Sequence, residues 1–420
     1  MTHLDYKIKF KLAAAAGLLL VTGATQFSYF TGASLPLIVL SGIIIGLFAV
    51  IHANIKLKFI EVILVCTFAF MVLLSFALII LGEEGYLKSR PIYFFSVAQL
   101  FAAIIAIKLT KSTEGRKYLL NIFLALLVLE ALIVFGQFSY ITFGIGFEVE
   151  PNLLQPFQLV TGSFANPNNS AAFIGLLCFV LSLFLLKNGM TAKALLLLIF
   201  VLPAIFVTLS RTMLVFWFLN LVCLLWVVYT SRHAQLKFTK FYFSIFFLFA
   251  VLILYLVFNF LLRVESDVIE RSLIRVNELS SLGDDTSIDF RFISHLRLIE
   301  NFFNLGLGSF TDLSYFKFFQ SSDPWLMKVN PHSYIVEYSF LFGFFGFLLI
   351  ASIFFCLIWL IFKNRDVPLV YKISAIFGLL FIQAVPSSLL TSVYFFIPFV
   401  MMAVVQFRSV HVKPQPICWR

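Results

Sequence analysis

The chain has 420 residues, of which 61% are apolar and only 12% carry charge, where a soluble domain carries about 25%. Together with a mean hydropathy of +1.03, this excludes a cytosolic enzyme, a disordered chain and a secreted disulfide scaffold. The apolar runs are long and continuous rather than alternating, which argues against a transmembrane barrel. The expected fold is all-α, a polytopic helical membrane protein.

A run of about 20 apolar residues crosses a bilayer as a helix. Twelve spans are predicted, near 12–30, 35–51, 59–81, 91–107, 118–143, 169–186, 194–209, 212–229, 241–262, 333–362, 369–385 and 391–407. The first follows Lys7, Lys9 and Lys11, as a signal peptide would. Its apolar stretch is long and has no clear small-residue cleavage site, so it is read as an uncleaved anchor. The whole chain, 1–420, is read as one integral membrane domain. Cys66, Cys178, Cys223 and Cys356 lie in apolar runs and Cys418 in the tail. Without a C-x-x-C pattern they suggest neither a zinc site nor a disulfide framework.

The net charge is +10, and its distribution is informative. With the N-terminus inside, 20 of the 30 Lys and Arg fall in inner segments and only Lys88, Arg90 and Arg211 in the short outer ones. The remaining seven lie in the long 263–331 segment, which the positive-inside rule discounts. The expected topology is multi-pass with both termini cytoplasmic. Positive-inside orientation accounts for most of the excess charge, and no nucleic-acid partner is expected.

The one composition shift is 263–331, with ten carboxylates and seven Lys/Arg over 69 residues. It lies between the ninth and tenth spans, on the outer face. Loops of that length are usually functional or disordered, and this one is patterned. Val268, Ile269, Leu273 and Val276 form an apolar stripe. Ser287 is expected to cap a second helix running to about Asn304. In that helix Arg291, His295, Leu298 and Phe302 recur at helical spacing. Such helices would lie over the outer surface as a lid. A second outer loop, 144–168, has Glu148, Glu150 and several Asn but no Lys or Arg.

No P-loop, H-E-x-x-H or D-x-D motif is present, and Asp284-Asp285 reads as a solvated turn. Any enzyme here is expected to work outside, without a nucleotide, cofactor or metal. Three outer-face features are candidates. Asn166-Pro167-Asn168-Asn169 stands at the mouth of the sixth span, where Asn and Pro also serve as cap and turn residues. Arg211, in Ser210-Arg211-Thr212, lies between two spans with almost no loop. An Arg at that depth is costly unless it meets an anion or a carboxylate. His332, in Pro331-His332-Ser333, opens the tenth span. The positive end of the helix dipole there favours a neutral imidazole, able to accept a proton. Capping or packing is the alternative role for this His. Glu130, in the middle of the fifth span, is either functional or a buried hydrogen-bonded carboxylate. Arg297 has Glu300 three residues on and is read as a structural pair.

These features occur in a recognisable order. The segments run Gly162-Ser-Phe-Ala-Asn-Pro-Asn168-Asn-Ser-Ala-Ala, then Leu209-Ser-Arg211-Thr, then Asp289-Phe-Arg291 with Asn304-Leu-Gly306-Leu-Gly308. His332-Ser-Tyr-Ile-Val-Glu337 follows, with Gly343 and Gly346 eleven and fourteen residues beyond the His. The combination resembles the O-antigen ligase/polymerase superfamily of bacterial surface-polysaccharide assembly, over about 162–346, and a twelve-span layout agrees with it elsewhere. The family usually carries Asn after the His, where this chain has Ser333.

The resemblance implies transfer of a glycan from a polyprenyl diphosphate lipid to a sugar hydroxyl, on the outer face of the bacterial cytoplasmic (inner) membrane. Arg211 and Arg291 match the family's motif arginines, and guanidinium forks suit diphosphate oxygens. Arg90 is a further candidate for the phosphate-binding ring, or an interfacial anchor. His332 matches the family histidine as base, and His295 is the next base to consider. Glu337, Asn166 and Asn168 would orient the acceptor or shape the site. Implied partners are the lipid-linked glycan donor, a glycan acceptor, membrane lipid and a chain-length-regulating membrane protein. The first expectation is a repeat-unit polymerase. The alternatives are an O-antigen ligase acting on a lipid A-core acceptor and, from another class, a secondary transporter or lipid-linked oligosaccharide flippase.

Overall fold

The computed structural model describes residues 3–51, 58–60, 62–63, 66, 102, 105–110, 112–149, 159–164, 166–230, 286–300, 302–304, 333–365 and 367–382. Among them there are helices and no strands. In chain order these are α1 (His3–Thr22), α2 (Ala24–Thr31), α3 (Leu35–Ile51), α4 (Thr113–Phe143), α5 (Pro167–Lys187), α6 (Thr191–Val207) and α7 (Arg211–Thr230). Then come α8 (Thr286–Glu300), a single 3₁₀ turn (Phe302–Asn304), α9 (Tyr334–Lys363) and α10 (Leu369–Ile382). The predicted spans 59–81, 91–107, 241–262 and 391–407 lie wholly or largely outside the described residues.

Among the described residues three helices are long and apolar enough to cross a membrane: Thr113–Phe143, Pro167–Lys187 and Gly343–Lys363. A fourth span is formed if Phe10–Thr22 and Ala24–Thr31 count together, across a bend of 73°. That bend falls at Gly23 inside what reads in the sequence as one continuous run. A Cβ at Gly23 would stand 2.5 Å from Leu126 Cδ2 of α4, so the chain turns where only a glycine lets α4 approach. α9 is interrupted similarly, at Gly343, whose φ of 63° and ψ of −150° are not helical.

In lipid, helices associate through close packing and interhelical hydrogen bonds rather than a hydrophobic drive. α1 and α3 show the close packing. A Cβ at Gly17 would meet Gly42 O at 2.8 Å and Gly46 N at 2.9 Å, so Gly42 and Gly46, four residues apart on α3, admit the backbone of α1. Deeper in the bundle, rings from three helices meet. Phe179 of α5 lies 5.2 Å from Phe216 of α7 and 5.5 Å from Tyr371 of α10, centroid to centroid.

Connectivity sets which ends coincide. Lys11 of α1 pairs with Glu114 in the first turn of α4, so α1 and α4 start at one end. α5, α6 and α7 pack on one another and are joined by the short turns 188–190 and 208–210. They are therefore antiparallel in sequence, and the start of α5, the end of α6 and the start of α7 share an end. Cys223, in the second half of α7, has its Sγ 2.6 Å from Ser374 Oγ and 3.8 Å from Val370 O in the first turns of α10. α10 thus begins where α7 finishes. α9 reaches that end through the turn 364–368, which leaves Gly343 at the end shared by Asn166 and Arg211.

Candidate functional site

At the start of α5, Asn166 has extended backbone and its Oδ1 accepts from Asn168 N at 2.8 Å. Pro167 follows at the first helical position, where its missing N–H leaves nothing unpaired. Asn166 is thus an N-cap, and the Asn-Pro-Asn sequence has a structural role whatever else it does. Asn168 is half-exposed at the helix mouth.

The chain leading into this cap does not run over the surface. Residues 160–164 are drawn into the bundle, with Val160 1% and Phe164 8% exposed. Two polar side chains of α4 hold the segment. Gln137 Oε1 accepts from Thr161 N at 3.0 Å and Gly162 N at 2.8 Å, while its Nε2 donates to Gly162 O at 2.9 Å. Glu130 is fully buried. It accepts from Ser163 N at 3.0 Å, Ser163 Oγ at 2.6 Å, Ser170 Oγ at 2.6 Å and Gln26 Nε2 at 2.7 Å. Gly162 has φ 66°, and a Cβ there would lie 2.0 Å from Glu130 Oε1. Of the two roles open for Glu130 in the sequence, the hydrogen-bonded one is the arrangement found.

Arg211 is the first residue of α7 and is half-exposed. The turn before it is strained. Leu209 has φ 62°, an uncommon conformation for a non-glycine residue. The Ser210 hydroxyl beside it is buried and has no hydrogen-bond partner among the described residues. The compact turn brings the start of α7 directly against the end of α6, and the starts of α5 and α7 face the same end of the bundle. Helix starts carry partial positive charge and suit anions.

Helix α8 docks on the start of α9. Ser333 is fully buried and caps α9, its Oγ accepting from Val336 N at 3.3 Å. The same Oγ lies 3.2 Å from His295 Nε2 of α8. Ser294 and Leu298 are buried on the docked side, and Phe302 sits edge-on to Phe344 and Phe347 at 5.7 and 4.9 Å. This is the spacing of His295, Leu298 and Phe302 that marks the helix in the sequence. The helix begins at Thr286, so Ser287 lies within it and is not its cap. Arg291 stands one turn before His295 on α8, and Glu337 one turn after Ser333 on α9. On the outward side Arg297 pairs with Glu300 at 2.9 Å.

His332 and Arg90 lie outside the described residues, though His332 directly precedes the described Ser333. The structure therefore brings His295 to the residue after His332, and gathers the starts of α5 and α7 at the end where Gly343 stands. Among the described residues no three of His, Cys, Asp and Glu come together as metal ligands would. Gln137, Gln26, Ser163 and Ser170 were not singled out in the sequence. The available signal was Gln137 itself, a second polar residue seven places after Glu130 and hence on nearly the same face of an apolar helix. No protein-family model and no curated protein matches the chain.

Proposed function

We propose that the chain is a twelve-span membrane glycosyltransferase of bacterial surface-polysaccharide assembly, joining polyprenyl-diphosphate-linked repeat units on the outer face of the cytoplasmic membrane. The observation that carries the reading is the contact of His295 with Ser333. It supports bringing the helix that bears Arg291 against the helix start that His332 precedes, the two motifs a diphosphate leaving group and its attacking hydroxyl would need side by side.

In this reaction the acceptor hydroxyl forms a bond to the anomeric carbon as the bond from that carbon to the diphosphate oxygen breaks. Polyprenyl diphosphate leaves with the electron pair, and the hydroxyl proton passes to the imidazole of His332. Arg211 and Arg291 hold the diphosphate as its charge develops, the term that preorganised cations serve best in a water-poor site. Arg90 is a third candidate for holding the diphosphate. Asn166, Asn168 and Glu337 border the acceptor side.

A ligase acting on a lipid A-core would use the same donor groups, so the acceptor side must separate the two. The 263–331 segment has more carboxylates than Lys and Arg, and 144–168 has no basic residue. A heavily phosphorylated core would be met by a cationic cluster, so the polymerase is favoured. A transporter would draw on Glu130, but its carboxylate oxygens are engaged by four protein donors, which weighs against that use. A deletion strain tests the choice. Loss of a polymerase leaves single repeat units on the final acceptor. Long chains stranded on the polyprenyl carrier would make it a ligase, and unaltered surface glycan would exclude both.

A further inference from the structure

Gln26, Glu130, Gln137, Ser163 and Ser170 form a buried polar cluster between α2, α4, α5 and the segment 160–164, apart from the groups given chemistry above. Glu130 and Gln137 are seven residues apart on α4, two turns, and so present adjacent positions on one face. Between them they bind three consecutive residues of the segment, through the N–H groups of Thr161, Gly162 and Ser163, the Gly162 carbonyl and the Ser163 hydroxyl. These backbone groups are those that a sheet or helix would otherwise satisfy. Without α4 they would be buried and unpaired, which a bilayer interior does not tolerate. Ser170 ties the first turn of α5 to the same carboxylate. The Asn166 cap therefore stands between two anchor points, Ser163 and Ser170, that both end on Glu130.

We propose that Glu130 and Gln137 are positioning residues. They hold the strap 160–164 inside the bundle and so set where the start of α5, with Asn166 and Asn168, stands at the mouth of the site. Their effect on glycan transfer rests on the function proposed above, whereas the placement of the strap does not.

The test uses the full chain in membranes. Val160, buried in the strap, is replaced by Cys with the five native cysteines removed, and reaction with N-ethylmaleimide is timed. A second protein keeps only Cys178, buried on α5, to report the rest of the bundle. The strap is then released from either side. Gln137→Leu removes the partners of two N–H groups and one carbonyl. Gly162→Ala leaves α4 untouched but drives a Cβ into Glu130 and Ser170. Both variants are expected to speed labelling at position 160 by roughly tenfold or more, the scale of one or more lost buried hydrogen bonds, with Cys178 still slow. Gln137→Glu, which keeps an oxygen to accept both N–H groups but replaces the amide that donates to the Gly162 carbonyl, is expected to fall between. In transfer from a lipid diphosphate oligosaccharide, Gln137→Leu and Gly162→Ala should lower kcat together while donor binding stays within about twofold. Slow labelling at 160 in both variants overturns the proposal, as does equal acceleration at Cys178, which would mean general loosening. Fast labelling at 160 with no transfer by the parent protein would keep the strap assignment and remove the glycosyltransferase reading.

Discussion

His295 and Ser333 lie 38 residues apart in the chain and meet at 3.2 Å, Nε2 to Oγ. Ser333 is buried and at the same time caps α9, so one hydroxyl both caps that helix and contacts α8. Asn is as good an N-cap as Ser, so Ser333→Asn would preserve the cap while altering the group offered to His295.

Ser333→Ala removes the cap and the contact with His295. It should lower unfolding free energy by about 1–2 kcal/mol, read as a fall in melting temperature in detergent. Ser333→Asn should retain most of the stability. Equal losses in both would show that capping is not what Ser333 supplies.

Arg211→Ala and Arg291→Ala should each reduce kcat/KM by the equivalent of about 2–5 kcal/mol, the loss expected when one partner of a desolvated charge pair is truncated. Lysine should restore only part, since it lacks the two-pronged donor geometry. Full activity of Arg291→Ala at normal expression would remove that residue from the site.

Leu209 holds φ 62° in the turn that presents Ser210 and Arg211. Leu209→Ile conserves volume but adds a β-branch in a conformation that disfavours it. A destabilisation of about 1–3 kcal/mol is expected, seen as a lower melting temperature. An unchanged melting point would mean that the turn relaxes freely.

Sidedness follows from the Lys and Arg distribution. In a cysteine-free background, Leu296→Cys on the exposed face of α8 should react with an impermeant maleimide added to spheroplasts. Met190→Cys, exposed in the turn between α5 and α6, should not. The reverse pattern would put the proposed site on the cytoplasmic face.

The helices were legible where apolar runs stand alone. The runs at 35–51, 118–143, 169–186, 194–209 and 212–229 coincide closely with α3 to α7, because burial in lipid or protein asks only for apolar length. The breaks at Gly23 and Gly343 were not legible, since each lies inside a predicted span, and at Gly23 the close neighbour is Leu126 of α4, far away in the chain. Helix α8 showed its docked face through the spacing of His295, Leu298 and Phe302. The strap did not show itself. Gln26 lies 104 residues from Glu130 and Ser163 lies 33, and no local pattern reports a partner at such separations. For the same reason Asn166 read as either a cap or a site residue, and the structure supplies the cap.

The proposed reaction is glycan transfer from a lipid diphosphate with His332 as base. The direct measurement incubates the purified protein with a polyprenyl-diphosphate-linked oligosaccharide and follows both products. Glycans longer by whole repeat units and an equimolar release of polyprenyl diphosphate are expected, with turnover by His332→Ala lower by roughly 10²–10⁴-fold and donor binding little changed. Absence of both products from the parent protein would exclude glycan transfer, and full turnover by His332→Ala would exclude His332 as the base.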